Sequence, residues 1–320
     1  MKKHLVLLGS MALSASLITG CGENTNSSDV SNAMVNNVVL PSYSKLANAS
    51  GRLNSALRNF SDYPSKNTLN KAKDSWRSAR KTWEITETWA YGPAETLDFD
   101  PNLDDWPVST NELSSTLDSK SDFTSATLRK QDTTSRGFHG IEYVLFARDN
   151  NSAEDFSAKE LAYLKIAGED LEKNAEGLLE AWSGSEGFGS QGVKADPSSA
   201  IEDILAGMEG CLAEVADGKL GGAFDAADAG ELESTFSGNT GTDILFNITG
   251  VKTAWEKSKD KAYAASKNDA LTSTLSNQID EYLKLAKQLP ARLNDKLDDK
   301  NIQKIVSQLR STLISAAETA

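Results

Sequence analysis

Apolar side chains recur every three or four residues along most of this chain, and no segment shows the sustained apolar–polar alternation of a strand. A sequence patterned in this way must bury helical stripes against other helices, which restricts it to an all-α architecture. Val39, Tyr43, Leu46, Leu53, Leu57 and Phe60 mark one amphipathic helix. Leu69, Ala72, Trp76, Ala79, Trp83 and Ala90 mark a second, beginning after Pro64 and Ser65 and stopping at the breaker pair Gly92-Pro93. Helical signals are weak over Thr110–Leu117 and strong over Arg136–Phe146, where Phe138, Ile141, Val144 and Leu145 form the apolar face. Ser157 followed by Glu160 reads as a capping box, and Leu161, Leu164, Leu171, Leu178 and Trp182 extend the helix it opens.

A Gly/Ser-rich break from Ser183 to Ser198, ending in Asp196-Pro197, separates these helices from four more. Their stripes begin at Ile201, Ile244, Leu271 and Ile302. The expected architecture is therefore two packed helical bundles, over 34–183 and 198–320. Two stretches lack periodicity and read as long loops: Gly92 to Val108, rich in proline and aspartate, and Gly218 to Gly230, rich in glycine, alanine and aspartate.

The first 20 residues are not expected to belong to the folded body. Lys2 and Lys3 followed by an apolar run from Leu5 to Leu17 form an export signal, too short to span a bilayer comfortably. Leu17-Ile18-Thr19-Gly20-Cys21 has the form of a bacterial lipobox, in which Cys21 is acylated and becomes the first residue of the mature chain. The Asn/Ser-rich stretch after it makes 21–33 a flexible tether. The expected location is the cell envelope, lipid-anchored, on the periplasmic or outer-membrane side. With Cys21 acylated, only Cys211 remains, so no internal disulfide can form.

Acidic residues outnumber basic ones, 46 to 33, for a formal net charge of −13, and removing Lys2 and Lys3 makes the balance more negative. Such a chain cannot replace the counterions of a nucleic acid, and that partner is excluded. An acidic exterior suits attraction of cations.

Apart from His4 in the leader, His139 is the only histidine, and Glu142 follows it by three residues on a predicted helix. That spacing sets an imidazole and a carboxylate on one face, close enough to share a cation. Gly137 and Gly140 flank the histidine at a cost of about 1 kcal/mol each relative to alanine, which points to close approach by a neighbouring helix or a ligand. Helical zinc peptidases use H-E-x-x-H or H-x-x-E-H, whereas Tyr143 stands here in place of a second histidine. The site would have to be completed by oxygen donors, and such a set favours iron, manganese, calcium or magnesium, with zinc also compatible. Glu84 and Glu87, at the end of the tryptophan-rich helix, and Asp243 are the candidate completing groups. Asp98, Asp100, Asn102 and Asp104 resemble the start of a calcium loop but lack its turn glycine and closing glutamate, and read as a polar turn.

Several segments together resemble the imelysin-like family, also known as peptidase family M75. Gly137-Phe138-His139-Gly140-Ile141-Glu142 fits its G-x-H-x-x-E motif. Trp83-Glu84-Ile85-Thr86-Glu87, Asn102 to Pro107, Glu233-Ser234-Thr235-Phe236-Ser237 and Thr242-Asp243-Ile244 with Asn247 to Gly250 match in order. The resemblance implies a two-bundle helical fold with a functional cleft near the histidine. It implies His139 and Glu142 as metal ligands, with Glu87 and Asp243 completing the set and Arg136 orienting a carboxylate or binding an anion. It also implies a role in iron acquisition alongside other uptake components. Two alternatives stand beside that reading: a metallopeptidase of the M75 type, and a surface adaptor or polysaccharide-binding lipoprotein in which His139 is structural.

Overall fold

The structure is a computed structural model that describes residues 27–119, 123–147, 152–266 and 268–319, and every regular element among them is helical. The chain opens with α1 (Ser27–Met34), which passes through a π-helical turn at Val35–Val39 into α2 (Leu40–Asp62). Helix α3 (Lys66–Thr86) follows, with Ser65 and Thr68 forming a reciprocal cap at its start. Short helices come next: α4 (Pro93–Thr96), α5 (Phe99–Asp104), α6 (Thr110–Asp118), α7 (Ser125–Leu128) and α8 (Gly137–Glu142). Helix α9 (Ala158–Trp182) starts at the Ser157–Glu160 capping box expected from the sequence. The remainder comprises α10 (Pro197–Ala213), α11 (Gly222–Ala226), α12 (Thr240–Ser266), α13 (Asp269–Ala286) and α14 (Lys300–Thr319).

Two apolar clusters hold these helices together. The first is centred on α2, α3 and α9 and includes the fully buried Trp76, Trp83, Trp89 and Trp182. It also takes in Ala200, Ile204, Met208 and Cys211 of α10, and Val251, Ala254 and Trp255 of α12. The second gathers Val215, Leu220, Leu232, Ile244, Ile248, Tyr282, Leu293 and Leu309. Helix α12 therefore serves both clusters, the first with its middle and the second with its first turns. An indole buries about 150–250 Å², so the tryptophan stripe of α3 supplies much of the area that fixes this helix at the junction.

The structure differs from the sequence expectation in three places. Residues 27–33 are not tether: Val30 and Met34, one turn apart, are buried as α1 packs on α10. Gly92–Val108 is not loop throughout, since it carries the short helices α4 and α5, with Leu103 fully buried. The Gly218–Gly230 stretch is not a long loop: a π-helical segment, Glu214–Gly221, runs into α11 and a 3₁₀ turn at Ala229–Glu231. Glycine and alanine conceal the period there, since they fill a tight helical contact without marking a stripe. The expected leader and Cys21 lie outside the described residues. Among the described residues, no helix is long and apolar enough to cross a membrane.

Candidate functional site

Between the two clusters lies a buried set of charged side chains, built outward from α3. Arg80 sits on the same stripe as Trp76 and Trp83 and is fully buried. Glu84, one turn later, is also fully buried and lies 2.6 Å from Arg80 Nη2. Glu87 follows in the 3₁₀ turn that ends the helix. The same Arg80 Nη2 lies 2.8 Å from Glu233 Oε1, and Nη1 pairs with Asp104. Lys219, from the π-helical segment, meets the set from the other side, with Nζ 2.8 Å from Glu84, 3.0 Å from Glu87 and 3.0 Å from Glu233. Asn247 of α12 donates to Glu84 Oε2 at 2.8 Å and also to Glu87.

His139 enters from α8. Its Nδ1 is 3.1 Å from Glu142 Oε2, so the i, i+3 pair does meet, but around one edge of the ring. The second Glu142 oxygen accepts the Ser237 backbone N–H at 2.7 Å, which leaves both of its oxygens engaged. The opposite edge, Nε2, lies 3.1 Å from Asp104 Oδ1 and 3.8 Å from Glu233 Oε1, without hydrogen-bond alignment to either. The other Asp104 oxygen is fixed by Trp83 Nε1 at 2.5 Å. Asp104, His139 and Glu233 thus offer three donor atoms within 4.8 Å of one another, and Glu84, Glu87, Asp104 and Glu233 form a second, overlapping set on the same criterion.

Two glycines bring these elements together. Gly137 has φ +61°, and a Cβ there would collide with the Leu103 carbonyl, so glycine is what lets α8 close on the end of α5 and set His139 beside Asp104. The close approach inferred at Gly137 is therefore to neighbouring backbone. Gly250 lies against the Ile85 carbonyl in the same way and seats α12 on α3.

Six carboxylates, of Glu84, Glu87, Asp104, Glu142, Glu233 and Asp243, share this interior with the two permanent cations Arg80 and Lys219. The imbalance shifts their protonation. Burial, followed by the neighbouring Glu84, pushes the Glu87 carboxyl well up despite Lys219. Burial and Glu84 push Asp243 up to about 8. Glu233 goes the other way: burial opposes its charge, but Lys219, Arg80 and His139 hold it well below the usual carboxylate range. Burial and Arg80 act against protonation of His139, yet Glu142 and Glu233 raise its pKa overall. Lys219 is kept protonated, because the four glutamates around it outweigh its burial.

Of the residues singled out from sequence, His139, Glu142, Glu84 and Glu87 lie in this set. Asp243 borders it, accepting from Asn239 at 2.6 Å. Arg136 does not reach it: the residue immediately precedes α8, and its guanidinium faces Asp170 of α9 at 3.9 Å. Arg80, Asp104, Lys219 and Glu233 were not singled out as ligands or lining. The available signals were an arginine inside a tryptophan stripe and an aspartate closing a non-periodic segment.

The family model for imelysin, peptidase M75, matches residues 39–319. Iron-regulated protein A of Synechococcus elongatus is 29% identical over 264 residues, 78% of this chain and 71% of that protein. Among solved structures, a protein assigned as an iron-regulated protein A precursor from Parabacteroides distasonis superposes with a TM-score of 0.80 at 22% identity, covering 94% of this chain and 95% of that one. An imelysin-like protein from Psychrobacter arcticum superposes with a TM-score of 0.71 at 17% identity, covering 91% and 92%. These two structural similarities concern the fold.

Proposed function

Because this chain belongs to the imelysin (peptidase M75) family, we propose that it is a lipid-anchored protein of the cell envelope that captures iron and hands it to other uptake components. Its cargo would be held by Asp104, His139 and Glu233. The observation that carries this reading is the environment of the imidazole. Its Nδ1 is fixed by Glu142, and its Nε2 stands between two carboxylate oxygens, 3.1 Å from Asp104 and 3.8 Å from Glu233. A carboxylate on the far ring nitrogen is how ligating histidines are oriented and made more basic. Glu142 then serves as the orienting group, and Glu84 and Glu87 stand as the next oxygen donors.

One imidazole among carboxylates is a hard, oxygen-rich donor set that suits iron, with zinc as the competitor. Arg80 currently pairs with Asp104 and Glu233 and takes up the charge that an incoming cation would take. Similarity to a protein named for iron regulation supports iron as the cargo, and the lipobox ending in Cys21 supports the anchor. Capture is favoured over peptide hydrolysis because His139, Glu142, Glu233 and Asp104 expose no more than 5% of their side chains, and a polypeptide would need a far larger opening to reach these donors than an ion does.

Calorimetric titration of iron into the wild-type protein and into His139→Ala and Glu233→Gln tests the proposal. Binding that weakens by about tenfold or more in each variant is expected, from loss of one ligand at roughly 1.4 kcal/mol or above. Equal affinity in wild type and His139→Ala would refute it.

A further inference from the structure

Directly outside the buried set, α3 and the start of α12 flank an open surface cleft of about 540 Å³ whose lining contains no carboxylate. Arg77 and Lys81 line it instead, one turn apart on the exposed side of α3. Lys81 Nζ stands 4.3 Å from the Phe246 ring centroid, and the Arg77 guanidinium stands 4.9 Å from that of Phe146, so aromatic faces hold both cations in place. Arg292 is not part of the lining, but its side chain lies against Gly238, which is. Among the described residues, the acidic group paired with these cations is Asp74, at 3.6 Å from Arg77 in an exposed pair of little strength.

The floor of the cleft connects it to the cluster. Ser237 and Asn239 line it, and the same two residues donate inward, the Ser237 N–H to Glu142 and the Asn239 amide to Asp243. A basic mouth therefore opens one residue layer above an acidic interior. Taken alone, the carboxylates would repel an anionic complex, whereas the mouth attracts one. Ferric ion held by polycarboxylates of the citrate type forms complexes that carry net negative charge, and these are the ones a basic mouth would draw in.

We propose that the cleft is a chelator subsite that binds a small polycarboxylate of the citrate type through Arg77 and Lys81 and so presents chelated ferric ion to the donors beneath. The volume falls within the usual range for a small-molecule site. This inference rests on the metal-capture reading above.

The test is calorimetry on the purified protein with three probes: metal-free citrate, ferric citrate, and ferrous ion under anaerobic conditions without chelator. Wild type should bind all three. The double variant Arg77→Glu/Lys81→Glu should bind citrate and ferric citrate about tenfold more weakly or worse, from reversal of two charges at the mouth, while keeping its affinity for ferrous ion. His139→Ala should keep citrate binding and lose ferrous ion. Unchanged citrate affinity in the double variant, or no citrate binding by wild type, overturns the chelator subsite whatever the metal results. Citrate binding that depends on Arg77 and Lys81 in a protein that takes up no metal would instead refute the capture reading while upholding the anion site.

Discussion

Arg80 offers the sharpest test of how this interior works, because it has two separable roles: holding the metal-free cluster together and competing with a cation for it. Its guanidinium meets Glu84 at 2.6 Å and Glu233 at 2.8 Å and also pairs with Asp104, and all four side chains are at most 5% exposed. Arg80→Met keeps the length of the stem and removes the charge. Breaking a buried pair by deleting one partner costs about 3–5 kcal/mol, part of which is recovered as the freed carboxylates take up protons. A net loss of about 3 kcal/mol, at about 1.5 °C per kcal/mol for a 320-residue chain, lowers the melting temperature by roughly 4–5 °C. Metal binding should respond in the opposite direction. A cation entering the wild-type site must displace the guanidinium from Asp104 and Glu233, and the variant has nothing to displace. Iron should then bind about tenfold or more tightly, and at 100 times the dissociation constant the metal restores about 2.7 kcal/mol. Differential scanning calorimetry with and without iron, together with isothermal titration, measures both effects. A variant as stable as wild type without metal, or one that gains no more from iron than wild type does, would show that Arg80 neither supports nor competes for these carboxylates.

Two further outcomes follow from the same geometry. Gly137→Ala places a Cβ against the Leu103 carbonyl at a positive φ, and the combined strain and backbone shift should cost about 2–4 kcal/mol and move His139 away from Asp104. Thermal unfolding and iron titration should both record the change, and a variant indistinguishable from wild type would mean that α5 and α8 are not held at this spacing. Asp100 has its pKa raised to about 6, first by burial and then by Glu214 and Glu95. A carboxyl whose pKa is higher folded than unfolded contributes stability that is present below the unfolded value and is lost as pH rises through the folded one, here between about 4 and 6. Asp100→Asn should remove that slope and stabilise the protein at pH 7 by about 1 kcal/mol, a discounted figure because the side chain is partly exposed. An unchanged pH profile of the melting temperature would place the titration elsewhere.

The helices were legible in the sequence wherever a stripe of large apolar residues met a polar face, as in α2, α3 and α9, because burial of such a stripe forces the period of 3.6. The segment around Glu214–Glu231 was not, since its π-helical turn sets the large buried residues Val215 and Leu220 five positions apart, off the α-helical period, and Ala216, Gly221 and Ala223 beside them are too small to declare a face. The same contrast governs the site. His139 and Glu142 announce themselves by their spacing on one helix, but Asp104 and Glu233 reach the imidazole from segments distant in sequence, through a tertiary contact that no local period encodes. Arg80 was concealed for a different reason: a charged residue within an apolar stripe reads as a flaw until its partners are known. Its position between Trp76 and Trp83 carries the information, because a guanidinium is retained in a dry core only when several carboxylates compensate its desolvation. Carboxylates sufficient for that arginine, and still in excess after Lys219 is counted, form an interior suited to a further positive charge. The arginine in the tryptophan stripe is thus an indirect sequence signature of the site, and it stands on a different helix from the histidine motif.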